Sequence, residues 1–461
     1  LSPDAAAGLP DAEYLVLSSR LIPGLDGGYT IATLARARQL AGAGIADGAG
    51  PQLLTFDPGT IAAHAEHRAT FAAQGALTDP SRMRNLFDEA VAPGGGAAEW
   101  LLAAADAATK PDPGVEYRVL EDAAGRAFAA LPVIPGNPDW HLTEEPVLVH
   151  GASGEVVGGV RGFRGLYRAW LAHVTASFGD RTIVVICESR QIGELIADWS
   201  DPRVRIVHTI HTIHLEAPYT PDAPTNALWT RWFGLADRFD AVVWPTATQR
   251  DDVVARFGSS ASHAVVPNPI TPVDGLDDVR EPGLVVMLGR LAPGKRVDHA
   301  IRAFLRADVP GSRMEIWGGG PEQERLQALI DELDAGDRVV LAGYTDDPGG
   351  VLDRASLVVT STAFEGQPLG VVEAMLHGAP VVSYDVRYGI RDVLQQGGGV
   401  LVPAGDIDAL GVALRRVLTD DGLRARLSAE APTVAAAWSP ERSLAALTAV
   451  IRDAVSRPSR R

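Results

Sequence analysis

Strand-length apolar runs recur along this chain in two blocks, each run separated from the next by a helical pattern. The first block holds "YLVLSS", "QLLTF", "TIVVICES", "RVRIVH" and "AVVWP"; the second holds "GLVVMLG", "RMEIW", "RVVLAGY", "SLVVTS", "PVVSYD" and "GVLVP". A strand solvated on one face alternates apolar and polar residues, so unbroken Val, Leu and Ile runs mark strands buried on both faces. Helical patterns such as "PEQERLQALIDELDAG" and "DIDALGVALRRVLTD" fall between them, which predicts parallel sheets with helices on either side. Two blocks predict two doubly wound α/β domains, and 461 residues leave room for both.

The boundary is placed at "VVPNPITPVDGLDDVREPG", rich in proline, aspartate and glycine, giving a first domain over 1–270 and a second over 271–438. Residues 439–461 begin "SPERSLAALTAVIRDAV", a Ser-capped amphipathic helix expected to pack back onto the body. One segment, about 94–160, breaks the alternation. Its pieces "VEYRVLED", "RAFAALPV" and "EPVLVHG", joined by turn signals, predict an antiparallel β insert in the first domain. Its role is surface elaboration, acceptor binding or homo-oligomerisation.

The formal net charge of −17 argues against nucleic acid and anionic membranes as partners. No uninterrupted apolar run reaches about 18 residues, so no transmembrane segment is expected. The stretch "LSPDAAAGLPDAEY" lacks the basic and apolar regions of a secretory signal. Cys187, the one cysteine, lies in an apolar run and has no disulfide partner in the chain. These features predict a cytoplasmic protein, at most peripheral to a membrane.

In open α/β sheets, ligands bind beyond the carboxyl ends of the strands. There the second block carries "RLAPGKR", with Arg290 and Lys295, and "GGGPE", a glycine loop around Gly319 that opens a helix. The first block carries Gly27 and Gly28 on a strand-to-helix loop. In "FEGQPLGVVEAMLHGAP", Pro368 marks a helix start and Gly378 its end. Glu365 then precedes the positive end of that helix, Leu369 stands at its first turn and Glu373 projects from its second. Each feature alone has an ordinary structural reading. Their convergence on facing domain edges points to a phosphate-bearing ligand.

These loops resemble those of the retaining glycosyltransferases of family 4, which have the two-domain GT-B fold. The resemblance rests on "GRLAPGKRVDHAIRAF", "IWGGGPE", "LAGYTDD" and two glutamates with seven residues between them. The segment "VVSYDVRYGIRDVL" is similar to one in the wall teichoic acid α-glycosyltransferases and related bacterial protein O-glycosyltransferases, which also carry a β-rich insert. The resemblance implies a UDP-sugar donor, with Arg290 and Lys295 on its diphosphate and Glu373 on the ribose. It places Tyr344 beside the uracil and Glu365 on the sugar, with Gly27, Gly28, Gly319 and Leu369 completing the donor side. It implies retention of configuration, with attack from the face that UDP leaves, no metal or other cofactor, and a polyol-phosphate glycopolymer or a protein as acceptor. The chain departs from the family at Gln367-Pro368, where an aromatic-glycine pair is usual and where Pro368 has no N–H to offer.

The stretch "RVRIVHTIHTIHLEAPY" sets His208, His211 and His214 three apart after a strand. No cysteine or well-spaced carboxylate completes a zinc site there. The resemblance favours His211, then His214, as the histidine that contacts the donor sugar, and His214 is also a candidate at the acceptor; the other reading is a hydrogen-bonded core histidine. An anionic acceptor needs local positive charge, and Arg161, Arg164 and Arg168 of "RGFRGLYRAW" are the best candidates, with a solvated helix entry as the alternative. A non-catalytic sugar-binding partner of a glycosyltransferase would be expected to lose the donor cations or the glutamates, and all four are present. An epimerase or phosphorylase would need a different catalytic set.

Overall fold

The computed structural model describes residues 8–25, 27–258, 261–271, 273 and 280–461. Two parallel sheets and one antiparallel sheet make up its β structure. The first has β1 (Glu13–Ser18), β2 (Gln52–Thr55) and β3 (Met83–Asn85), then β8 (Ile183–Cys187), β9 (Val204–Thr209), β10 (Ala241–Trp244) and β11 (Ser262–Val265). The chain between holds β4 (Tyr117–Glu121), β5 (Ala127–Pro132), β6 (Val147–His150) and β7 (Val156–Val160), paired antiparallel in that order. The last sheet has β12 (Leu284–Leu288), β13 (Arg313–Trp317), β14 (Val339–Gly343), β15 (Leu357–Thr360), β16 (Val381–Tyr384) and β17 (Gly399–Val402). The two parallel sheets run in the orders β11-β10-β9-β8-β1-β2-β3 and β14-β13-β12-β15-β16-β17. Each reverses direction once, between β1 and β8 and between β12 and β15. Those reversals leave crevices at the strand ends.

The doubly wound sheets and the antiparallel insert are therefore present. The apolar runs missed three strands. β3 is only "MRN", β11 is the half-polar "SHAV" and β7 is the glycine-interrupted "VVGGV", so none gives a strand-length apolar run. Of the segment between the sheets, residues 272 and 274–279 lie outside the described residues.

Two cores flank the first sheet and one surrounds the last. The insert shares the first of these: Phe128, Leu131 and Val149 pack in one cluster with Trp170, Val185 and Trp232. It has no separate core. The helix Pro440–Ser456, capped by Ser439, returns to the first sheet, where Leu447 and Ile451 are fully buried with Val184 and Val207. Burying each such side chain contributes about 1.5–3 kcal/mol. Ser443 Oγ donates to the Pro267 carbonyl at 2.7 Å, pinning this helix to the chain that leaves β11. Among the described residues, no helix is long and apolar enough to cross a membrane.

Candidate active site

The first crevice opens at the ends of β1, β2, β8 and β9 as a cavity of about 610 Å³, lined by Tyr29, Asp57, Trp140, Glu188, Arg190 and His211 among others. Glu188 follows β8 directly, and its N–H donates to the Leu17 carbonyl, so it sits at the β1/β8 reversal. Its carboxylate is buried. It accepts from Arg36 Nε at 2.7 Å, from Thr209 Oγ1 at 2.5 Å and from His211 Nε2 at 2.6 Å. Burial alone would raise this carboxyl; the Arg36 guanidinium and the His211 ring outweigh it and hold the group at about 2. His211 also meets the edge of Tyr29, ring centroids 5.1 Å apart.

Sequence reasoning missed Glu188 and Arg36. Their signals were present: a carboxylate immediately after a central buried strand, and an arginine on the apolar face of "TIATLARARQL". The other two histidines go elsewhere. His208 is wedged between Trp232 and Phe239, and burial lowers its ring to about 3. His214 is 1% exposed among Trp229, Phe233, Phe257 and Tyr388, and burial, with Arg256, lowers it to about 4. His214, expected at the acceptor, is held away from the cavity as a neutral ring in an aromatic cage. The triplet diverges because the segment leaves the strand as an irregular loop, so spacing by three does not stack the rings.

The second crevice is built by three loops pressed together. A Cβ on Gly318 would fall 2.0 Å from the Gly289 carbonyl oxygen, and one on Gly320 would fall 2.2 Å from that of Leu291. Only glycine permits this backbone contact between the loops after β12 and β13. Gly319 carries open space at its Cα, and its carbonyl accepts from Leu291 N at 2.9 Å. Ser361 Oγ donates to the Arg296 carbonyl at 2.7 Å and Ala363 N to that of Gly294 at 2.8 Å, which ties in the loop after β15. This brings Lys295 Nζ to 2.5 Å from Glu365 Oε2, both side chains partly exposed. Arg290 is exposed, and its side chain makes no ion pair among the described residues.

Pro368 caps the helix Leu369–Leu376. Glu373 is half-buried on it and makes no side-chain hydrogen bond among the described residues; burial raises its carboxyl, with His377 opposing. Tyr344, after β14, is 76% exposed. Across the cleft, a Cβ on Gly28 would touch Leu369 Cδ1 at 3.4 Å, so the glycine loop of the first sheet faces the helix start of the last. Gly27 precedes the helix Gly28–Gly42 at φ 46°.

The "YDVRYG" segment grips the first domain. Arg387 makes two 2.6 Å hydrogen bonds to Asp252, and Tyr388 donates to the same carboxylate at 2.8 Å. Residues 212–224 reach back over the last sheet, where Tyr219 packs on Phe364 with centroids 4.8 Å apart. The arginines expected at the acceptor already have carboxylate partners: Arg161 pairs with Glu144, and Arg164 and Arg168 share Asp198.

Residues 277–434 match the model of the family described as glycosyl transferases group 1. The match covers the last sheet and the helices around it. An exopolysaccharide phosphotransferase of Streptomyces coelicolor is 32% identical over 52% of this chain and 25% of its own length. A poly(glycerol-phosphate) alpha-glucosyltransferase of Bacillus subtilis is 31% identical over 43% of this chain and 31% of its own. The matched region thus spans no more than about a third of these curated relatives. A Staphylococcus aureus TarM mutant, in complex with UDP among other ligands, superposes with TM-score 0.74 at 17% identity over 95% of this chain and 99% of that one. The pneumococcal O-GlcNAc transferase GtfA, in complex with UDP and GlcNAc, gives 0.74 at 15% over 97% and 100%. These likenesses show the GT-B fold for nearly the whole chain.

Proposed function

We propose that this chain is a retaining glycosyltransferase that moves an α-linked hexose or N-acetylhexosamine from a UDP-sugar to a hydroxyl. The observation that carries the reading is the convergence across one cleft of Lys295 and Glu365 from the last sheet with the Glu188-held His211 from the first. In this reading Arg290 and Lys295 meet the diphosphate, whose charge grows as it leaves. Glu373 accepts from the ribose hydroxyls, Tyr344 lies along the uracil, and Glu365 and His211 hold the sugar. The departing phosphate takes the acceptor proton while the acceptor attacks from the same face. No metal is assigned; Asp406, in the nearest Asp-x-Asp, is engaged in capping the helix Ile407–Thr419 through Ala409 N at 2.9 Å.

The acceptor we assign is a polyol-phosphate polymer of the cell wall, in line with the likeness to the poly(glycerol-phosphate) alpha-glucosyltransferase of Bacillus subtilis. A protein hydroxyl is the second reading. It is favoured by one observation: Arg161 pairs with Glu144 and Arg164 and Arg168 share Asp198, so the three arginines are mostly offset by carboxylates and form no strongly basic track for a polyanion. The insert, whose β4 is an open edge, is proposed as a self-association surface. The test is incubation with UDP-glucose and UDP-N-acetylglucosamine against teichoic acid and Ser/Thr-peptide panels, with mass spectrometry of products. Absence of sugar transfer and of UDP release with every pair would remove the reading.

A further inference from the structure

Gln367, where the chain departs from its family, is 7% exposed and clasps one residue of the first domain. Its Oε1 accepts from Asn268 N at 2.6 Å and its Nε2 donates to the Asn268 carbonyl at 2.9 Å. The Asn268 side chain then accepts from Arg36 at 3.0 Å, Arg36 donates to Glu188, and Glu188 accepts from His211. Asn268, Arg36 and Glu188, the residues between Gln367 and His211, are all buried. The two ends also touch directly: a Cβ on Gly366 would lie 2.9 Å from the His211 carbonyl oxygen. The loop bearing Glu365 is thus joined to the histidine across the cleft by backbone packing and by an unbroken buried chain of hydrogen bonds.

We propose that Gln367 and Asn268 are positioning residues, which orient His211 through Arg36 and Glu188 when the Glu365 loop is docked on the first domain. The inference rests on the glycosyltransferase reading for its catalytic consequence, not for its geometry. Two features make the chain directional. The Gln367 amide can satisfy both an N–H and a carbonyl of Asn268 only as an amide, since a carboxylate offers no donor. Glu188 occupies Nε2 of His211, and among the described residues Nδ1 makes no hydrogen bond, so Nδ1 is the ring atom left for a ligand. Each link of this chain is made, although Arg36 Nη1 is buried without a hydrogen-bond partner, and breaking a link would leave further unpaired groups that repack. Undocking the loop would therefore be felt at the imidazole.

The experiment uses the full chain and two readouts. The imidazole nitrogen signals of His211 are identified by NMR as those lost in His211→Gln. Gln367→Glu and Asn268→Ala should both move these signals, while Asn268→Asp, which keeps the acceptor for Arg36, should restore them. In sugar transfer, Gln367→Glu should lower kcat by about tenfold or more with UDP Kd within about twofold. Combined with Glu188→Gln it should add little further loss, because both changes cut one chain. Unmoved His211 signals in Gln367→Glu and Asn268→Ala would overturn the inference, and so would fully additive losses. If the unaltered protein transfers no sugar, the functional reading falls and the NMR comparison still decides the coupling.

Discussion

Lys295 and Glu365 form an ion pair at 2.5 Å although 70 residues separate them, because the loops after β12 and β15 meet at the reversal of the last sheet. Arg290, on the same loop as Lys295, makes no such pair among the described residues. The two cations should therefore fail differently. Arg290→Ala removes a charge with no partner to strand, and turnover should fall by about a hundredfold or more with an unchanged melting temperature. Lys295→Ala should lose as much turnover and also free Glu365, so it should weaken sugar-dependent steps beyond those of the diphosphate. Steady-state kinetics with calorimetric UDP titration would separate the two, and near-normal turnover in both would take them out of the donor site.

The two glutamates should show separable defects. Among the described residues Glu373 is half-buried without a side-chain hydrogen bond, so under the proposed function its lone pairs would be available to ribose in ground and transition states alike. Glu373→Ala should raise KM and weaken UDP itself. Glu365→Gln should bind UDP nearly normally and transfer slowly, since the proposed function places Glu365 on the reacting sugar. Equal loss of UDP affinity in both would refute this division.

His64 sits between Asp88, 2.6 Å from Nδ1, and Asp57, 3.4 Å from Nε2. Burial opposes its charged form, but the nearby Asp57 carboxylate and the hydrogen-bonded Asp88 outweigh this and raise the ring from 6.5 to about 9. A folded pKa above the unfolded one means the stabilisation is complete below pH 6.5 and is lost as pH rises through 9. Urea unfolding of the unaltered protein and of His64→Gln should differ by on the order of 2–3 kcal/mol at pH 6 and converge at pH 10. A pH-independent difference would refute the charged ring.

The insert cannot be tested by removal, because Phe128, Leu131 and Val149 belong to the core of the first domain. Deletion should unfold that domain. Its outer edge can be tested instead: Val119, 48% exposed on β4, changed to Lys should leave UDP binding intact. Sedimentation should show a lower solution mass for Val119→Lys if the edge pairs copies of the chain. Identical masses would rule out self-association through β4.

The apolar runs determined the two doubly wound sheets, because burial on both faces must appear in a strand's own residues. Loop positions after strands likewise placed Arg290, Lys295, Gly319, Glu365 and Glu373 at one sheet edge, since parallel topology sends those loops to one end. Only the tertiary structure decided which polar groups meet. Arg36 finds Glu188 across 152 residues and Gln367 finds Asn268 across 99, pairings that no local period encodes. It also separated His211 from His214, identical in residue type and three apart, sending one to a cavity and the other into an aromatic cage. A side chain's own segment sets its approximate place on the backbone. Its partner, burial and charge state come from whichever distant segment packs against it.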